Sequence, residues 1–496
     1  MPKITIIGGG ISGLTAGIYA MKAGFDAEIY ESHTTAGGLC SGWKRNGYPV
    51  AGGVHWLTGV NKNSALHKMW EDIDAINENT EIYNHDVLVS CKNEETYHHI
   101  YTNLTKLEEE FLSISPEDAE ATKELIRAIK IHQGLPVPVE KPIDFMEEME
   151  KLIFFLPYMK AEKAFPTAGI SISDYASRFS SAVIRELLFS VFPKTDISVQ
   201  TLFKWLAINC SGDAGFPISG FGAMAQRIKN KFEKLGGKIF FDSKVRKIIV
   251  TNRVTTGVEL ENGTTVSTDY VVSTASPDVL YSDLLDNEYK DLYFEKRFGS
   301  STDHPTLSLT LIPLLIDMDM SKFPKRLFFT PKHAILMNNT EIKHLKINHY
   351  GFDSTFCQNG KTLAEVFLHY SEYEYWRDLK ASSPQKYKEA KEKIAEHIIA
   401  EIEIIYPETQ GKIKLLDVAT PLTFQRYTSN FRGSYVPFCI TPNIEYENHS
   451  GVVPGVKNLY LAGQWVFPDG GLPMAAIGGK YAVQRICNQE NKDINL

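Results

Sequence analysis

No stretch of the chain approaches the roughly 20 consecutive apolar residues that cross a bilayer as a helix. The best runs, 152–159 (LIFFLPYM) and 309–316 (LTLIPLLI), are short and each holds a proline. An integral membrane helix is therefore not expected, while peripheral contact with a membrane surface stays open. Basic residues are not in excess. Lys plus Arg number 52 against 60 Asp plus Glu, a net charge of −8, the wrong sign for a nucleic-acid partner. Cys40, Cys91, Cys210, Cys357, Cys439 and Cys487 stand far apart with no CxxC pair, so neither a zinc site nor a dithiol motif is indicated and no metal is expected. Scattered single thiols fit a reducing, cytoplasmic setting. A separate leader is not expected, because the strand-like KITII begins at residue 3. HExxH patterns, Ser/His/Asp triads, internal repeats and low-complexity tracts are all missing. What remains is a soluble globular composition, 43% hydrophobic and 23% charged over 496 residues, a length that asks for two or three domains.

The N-terminus carries a nucleotide fingerprint. Residues 4–7 form a short apolar strand, and Gly8, Gly10 and Gly13, with Ser12 among them, fit GxGxxG. Residues 11–23 read as a helix whose small residues Gly13, Ala16, Gly17 and Ala20 share one face. A second strand, 27–30, ends at Glu31, where a carboxylate accepts hydrogen bonds from ribose hydroxyls. The glycines let the backbone approach a pyrophosphate, and the helix N-terminus offers it free N–H groups and partial positive charge. Strand, glycines, helix, strand and acid in this order are specific, but they do not separate NAD from FAD.

The following blocks do. Thr35-Ala36-Gly37-Gly38-Leu39 resembles the second flavin-contacting loop of the amine oxidase and phytoene desaturase superfamily of FAD-dependent oxidoreductases, which lies beside the pyrophosphate. The continuation through Gly52-Gly53-Val54-His55-Trp56-Leu57 is most similar to the branch of carotenoid desaturases, carotenoid isomerases and retinol saturases. Near the C-terminus, 458–464 (NLYLAGQ) reads as a buried strand closing on Gly463, and Gly470-Gly471-Leu472-Pro473-Met474 opens a last helix to about residue 487, with proline suited to its first turn. In the family the N–H groups of this helix start face the flavin O2 and N1. Mid-chain, PISGFG (217–222), a helix at 224–235, GGKI (236–239), DSKV (242–245) and a buried strand at 269–274 follow the family's order, in which the residue matching Val245 holds the adenine through its backbone. Leu39 departs from the Arg or Ser common there, and Gln464 from the usual carboxylate, although Gln still donates and accepts. Asp469 is either a replacement acid or an exposed turn residue.

The resemblance implies an α/β architecture: a Rossmann-like (GR2-type) FAD-binding domain built from the discontinuous segments 1–95, 215–290 and 415–496, and a second, α+β substrate domain from 96–214 and 291–414. The first substrate segment reads as mostly helical, as at 107–113 and 173–189. The second has strand-like runs at 306–312 and 363–370 and a charged amphipathic helix at 384–405. The expected FAD contacts are Gly8, Gly10, Ser12, Gly13, Glu31, Gly37, Gly38, Leu39, His55, Val245, Gly463, Gln464, Leu472, Pro473 and Met474.

His55 and Tyr435 are the candidates for chemistry. The family places the His55 segment near the flavin, and a structural histidine is the equal alternative. Tyr435 closes TPLTFQRYTSNFRGSY (420–435) as either a pocket wall or core packing. The aromatic groups Phe154/Phe155/Tyr158, Phe328/Phe329 and Tyr370/Tyr373/Tyr375/Trp376 are ordinary core or parts of an apolar tunnel. The segment 152–159, flanked by Lys151, Lys160 and Lys163, is the candidate membrane edge. The implied activity is hydride transfer at flavin N5 that desaturates, saturates or isomerises a lipophilic polyene of carotenoid or retinoid type, with no ionisable group to grip and an electron acceptor left open. A flavin amine oxidase acting on C–N bonds is the second reading. A prenyl-binding Rab chaperone of the same architecture is the third, and the intact Gly10, Gly13 and Glu31 argue against it.

Overall fold

The structure is a computed structural model that describes residues 1–192, 194–369, 373–444 and 446–496. A five-stranded parallel sheet joins segments from both ends of the chain, in the order Lys238–Phe240, Asp26–Tyr30, Lys3–Ile7, Tyr270–Ser273, Leu459–Leu461. Its strands Lys3–Ile7 and Tyr270–Ser273 are buried along almost their whole length, as in a parallel sheet with helices over both faces. The helices Ile11–Lys22 and Leu472–Gln489 pack together at unusually close range. A Cβ on Gly479 would stand 2.3 Å from Ser12 O, and one on Gly478 2.7 Å from Gly463 N. The glycine pair thus brings the last helix and the last strand onto the first helix.

A second sheet has eight strands, running Ile413–Leu415, Thr310–Ile316, Lys361–Leu368, Leu345–His349, Arg326–Phe329, Val87–Asn93, Thr96–Tyr101, with Cys357–Gln358 beside Lys361–Leu368. The hairpin Val87–Asn93/Thr96–Tyr101 is hydrogen-bonded into this sheet, so it stands apart from the nucleotide segment in which a boundary at 95 had put its first strand. The outer face buries Leu314, Leu327, Ile347 and Val366 against Ile394, Ile398 and Ile402 of the helix Pro384–Ile405. The inner face is mixed. Cross-strand register sets Leu311, Phe367 and Lys346 side by side, and likewise Pro313, Glu365, Asn348 and Arg326.

Helices around Phe111, Leu125, Tyr175, Leu187 and Phe203 form a further apolar cluster. The helix expected over 173–189 is two, Ile172–Ala176 and Ala182–Val191. The Ser181 hydroxyl accepts from Ile184 N and starts the second, the ordinary N-cap use of serine. The expected strand runs are Thr310–Ile316 and Lys361–Leu368, and Tyr370 lies outside the described residues. No described helix is long and apolar enough to cross a membrane, and no metal-binding group of His, Cys, Asp and Glu occurs among the described residues.

Candidate functional site

Local geometry brings the predicted nucleotide residues into one cradle. The first strand ends at Ile7, just before Gly8, and the helix starts after Gly10, which caps it with no side-chain hydrogen bond. Gly13 permits the tight turn, since a Cβ there would lie 2.0 Å from Gly8 O. Glu31 Oε2 accepts from Gly9 N at 2.6 Å, and Oε1 from His33 N at 2.9 Å, which fixes the carboxylate beside the glycine turn. Gly37 N donates to Gly9 O at 2.9 Å, so the second glycine pair lies on the first. Ser243 N donates to Glu31 O at 2.8 Å, setting Val245 close to Glu31. Gly463 lies over Ser12, whose hydroxyl is buried with no partner. Gln464 accepts from Gly471 N at 3.1 Å and so holds the turn that leads to Leu472, Pro473 and Met474. Asp469 is neither a free acid nor an exposed turn residue, because its oxygens accept from Thr201 Oγ1 at 3.0 Å and Ile440 N at 3.1 Å.

His55 sits between the cradle and the inner face of the eight-stranded sheet. Its Nδ1 is 2.9 Å from Gly53 O. A carbonyl only accepts, so Nδ1 carries the proton and Nε2 keeps its lone pair. Burial, with Arg326 and Lys346 nearby, holds the imidazole well below its ordinary titration range, so the ring is neutral. It meets Phe367 edge-on at 5.2 Å and Trp56 at 5.1 Å. Tyr435 does not touch His55. Its hydroxyl is 3.1 Å from His369 Nδ1, and its ring borders an apolar cluster of Leu309, Leu311, Phe367, Ala419 and Phe424 that Leu39 and Trp43 also join. Leu39 therefore links the glycine loop to the sheet wall.

Four inner-face residues were not anticipated. Glu365 Oε1 accepts from Ala51 N and Gly52 N at 2.9 and 3.3 Å, and Oε2 from Tyr350 Oη at 2.6 Å. Burial pushes this carboxyl up to about 7, and it anchors the turn that carries His55. Arg326 Nη2 donates to His55 O at 2.9 Å. Lys346 and Asn348 stand beside it on the neighbouring strand. The only sequence signal was polar residues set among apolar ones in three strands, RLFF, LKINH and KTLAEVFL.

The profile of the family described as "Flavin containing amine oxidoreductase" matches residues 11–300, more than half of the chain and the whole of the first glycine cradle from its helix onward. The chain belongs to this family. The flavin-containing amine oxidoreductase fold is also seen in solved structures. An oxidoreductase from Methanosarcina mazei superposes with TM-score 0.64 at 14% identity, over 96% of this chain and 98% of that one. Putrescine oxidase bound to putrescine gives 0.61 at 14%, over 98% and 99%. Among curated relatives, the all-trans-retinol 13,14-reductase of Danio rerio is 24% identical over 92% of this chain and 82% of its own. The chloroplastic prolycopene isomerase of Daucus carota is 22% identical over 97% and 79%, and the 1-hydroxycarotenoid 3,4-desaturase of a Flavobacterium species 23% over 98% and 99%.

As a member of this family the protein is an FAD-dependent oxidoreductase, and its cradle fits that cofactor. The uncapped helix start after Gly10 and the orphaned Ser12 hydroxyl suit a pyrophosphate, and an anchored Glu31 suits a ribose. The helix start at Leu472 likewise has no side-chain cap. FAD bound there would supply the redox chemistry of the site.

Proposed function

We propose that this flavoprotein acts on a carbon–carbon double bond of a lipophilic polyene. The observation that carries the reading is the buried apolar cluster of Leu309, Leu311, Phe367 and Phe424, against which Leu39 of the glycine loop and Tyr435 pack. Such a cluster binds by buried apolar area. The relatives support it, since their names specify a retinol, a prolycopene and a hydroxycarotenoid. In this reading the five-stranded half holds FAD through the glycine loops, Glu31, Val245 and the Leu472 helix start, and the inner face of the eight-stranded sheet holds the substrate. His55 Nε2, neutral and unprotonated, takes a proton from the carbon next to the one that loses hydride, or returns it in the reverse direction. Glu365 positions His55 by gripping Ala51 and Gly52. Tyr435 is a wall.

Anaerobic mixing of the oxidised protein, and separately of the dithionite-reduced protein, with retinoids, carotenoids and amines, followed by flavin absorbance and by chromatography of products, tests the reading. Polyenes are expected to be desaturated, or to be saturated by the reduced protein, or to be isomerised with no net change in the flavin. Rapid flavin bleaching by primary or secondary amines, with no polyene altered under any condition, would replace it by C–N oxidation.

A further inference from the structure

The inner face of the eight-stranded sheet holds two cations that no carboxylate among the described residues neutralises. Arg326 is 5% exposed and pairs one N–H with His55 O, out of the five that a guanidinium carries. Lys346 donates to Ser190 O at 3.2 Å. The acid on the same face, Glu365, is committed to Ala51, Gly52 and Tyr350. Isolated buried charge is costly, and desolvation shows it: Arg326 is pulled down to about 10, and Lys346, with Arg326 beside it, to about 7. Directly across from Arg326, buried Asn348 has neither side-chain nitrogen nor oxygen paired, and both ring nitrogens of His85 are likewise without partners. Arg326, Asn348, His85 and His55 line a void of about 10 Å³. Arg326 and His85 also line a neighbouring cavity of about 870 Å³, whose rim includes the exposed Glu95 and Lys322, so this point is reachable from solvent.

We infer that Arg326, backed by Lys346 and Asn348, binds a carboxylate at one end of the substrate, which makes the substrate a polyene acid and not a hydrocarbon. This rests on the polyene reading above and sharpens it. A carboxylate accepts from a guanidinium in bidentate fashion. It also brings the negative charge that this face lacks, and its oxygen matches a void the size of one water. From the strand of Arg326 to that of Leu311 is three strand spacings, roughly 14 Å. A carboxylate held at Arg326 therefore lets an apolar chain pass His55 and Phe367 towards Leu311.

The test titrates the FAD-loaded protein with all-trans-retinoate and with its methyl ester, reading binding from the perturbed flavin absorption. The acid is expected to bind about ten- to a hundredfold more tightly than the ester, the range for a buried charge-assisted hydrogen bond. Arg326→Gln should remove most of that preference at unchanged flavin content per chain, and Arg326→Lys should keep part of it. The wild-type comparison stands alone if Arg326→Gln does not fold. Equal affinity of acid and ester overturns the acid site and leaves the polyene reading in place. Binding of neither overturns the polyene reading and the acid site with it. A preference that persists in a folded, yellow Arg326→Gln protein overturns the role of Arg326.

Discussion

The hydroxyl of Tyr435 lies 3.1 Å from Nδ1 of His369, and His369 stacks on Phe367, which meets His55 edge-on. The two residues suspected of chemistry thus stand at opposite ends of one aromatic array. Burial holds His369 at about 3 and lifts the Tyr435 phenol well above its ordinary range, so the pair keeps its neutral, hydrogen-bonded form near neutral pH. Tyr435→Phe should lower turnover less than about tenfold, the loss of one hydrogen bond. His55→Ala should lower it about 10²-fold or more, the usual worth of a positioned base. Product formation measured by chromatography checks both, with the flavin spectrum expected to persist. A larger loss in Tyr435→Phe than in His55→Ala would reverse the assignment.

Neighbouring glycines separate folding from cofactor binding. A Cβ on Gly10 meets nothing nearer than Gly38 Cα at 3.9 Å, whereas one on Gly13 would collide with Gly8 O at 2.0 Å. Gly10→Val should therefore give a folded, colourless protein, because its side chain fills the space where the pyrophosphate approaches. Gly13→Ala should lose thermal stability even before flavin is considered. Glu31→Ala should weaken FAD by about 1–3 kcal/mol. Retention of full flavin by Gly10→Val, or unaltered FAD affinity in Glu31→Ala, would remove these residues from the cofactor site.

The nucleotide half was legible in the sequence because its signals are local. Lys3 to Glu31 encode strand, turn, helix and strand within one short stretch, and Gly470 to Met474 announce the last helix. The inner face was not legible. In LKINH (345–349) polar residues alternate with apolar ones, the same pattern a solvent-facing strand gives, and in RLFF (326–329) the single polar residue stands at the start of the strand. Only the pairing of strands distant in sequence shows that the polar side points inward, at His55. The break at Ser181 was missed for a related reason. Helical periodicity continues across 173–189, and only the capping hydroxyl marks the new start.

Stability should depend on pH through the buried imidazoles. His349 is lowered to about 4 and His369 to about 3, and His55 and His85 lie well below their ordinary 6.5, burial being the main cause in each. Their folded values are depressed, so the unfolded chain binds more protons between those values and 6.5. Stability present above 6.5 is then lost as pH falls, on the order of 1 kcal/mol per ring per pH unit. Glu365 acts in the opposite sense. Its value is raised from 4.5 to about 7, so its contribution is present below 4.5 and lost as pH rises through 7. Burial also raises Glu186, Asp213, Asp278 and Asp469 and lowers His99, His132, His304 and His344, so eight rings stand against five carboxyls and urea midpoints should rise from pH 4.5 to 6.5. A flat or falling profile would mean that these histidines are not held neutral.

The helix Glu148–Ala164 buries only Ala161, while Met149, Leu152, Ile153, Phe155, Leu156 and Met159 are exposed. Spacings of three and four put most of these on one side, and Lys160 and Lys163 flank them. We propose that this side enters a membrane surface from which the substrate is drawn. Phe154 is a poor probe, because it packs on Phe155 and Tyr158 and Tyr158 holds Pro136 O at 2.5 Å. Ile153 and Leu156 have no such partners, so their loss leaves the helix anchored. Each could contribute roughly 1.5–3 kcal/mol as an upper bound on burial in lipid, whereas a net charge of −8 gives little general attraction to anionic lipid. The double variant Ile153→Ser, Leu156→Ser should therefore stop sedimenting with phosphatidylcholine vesicles that carry down the wild type, with flavin content unchanged. Vesicles that carry down both proteins equally, or neither, would remove this helix from any membrane role.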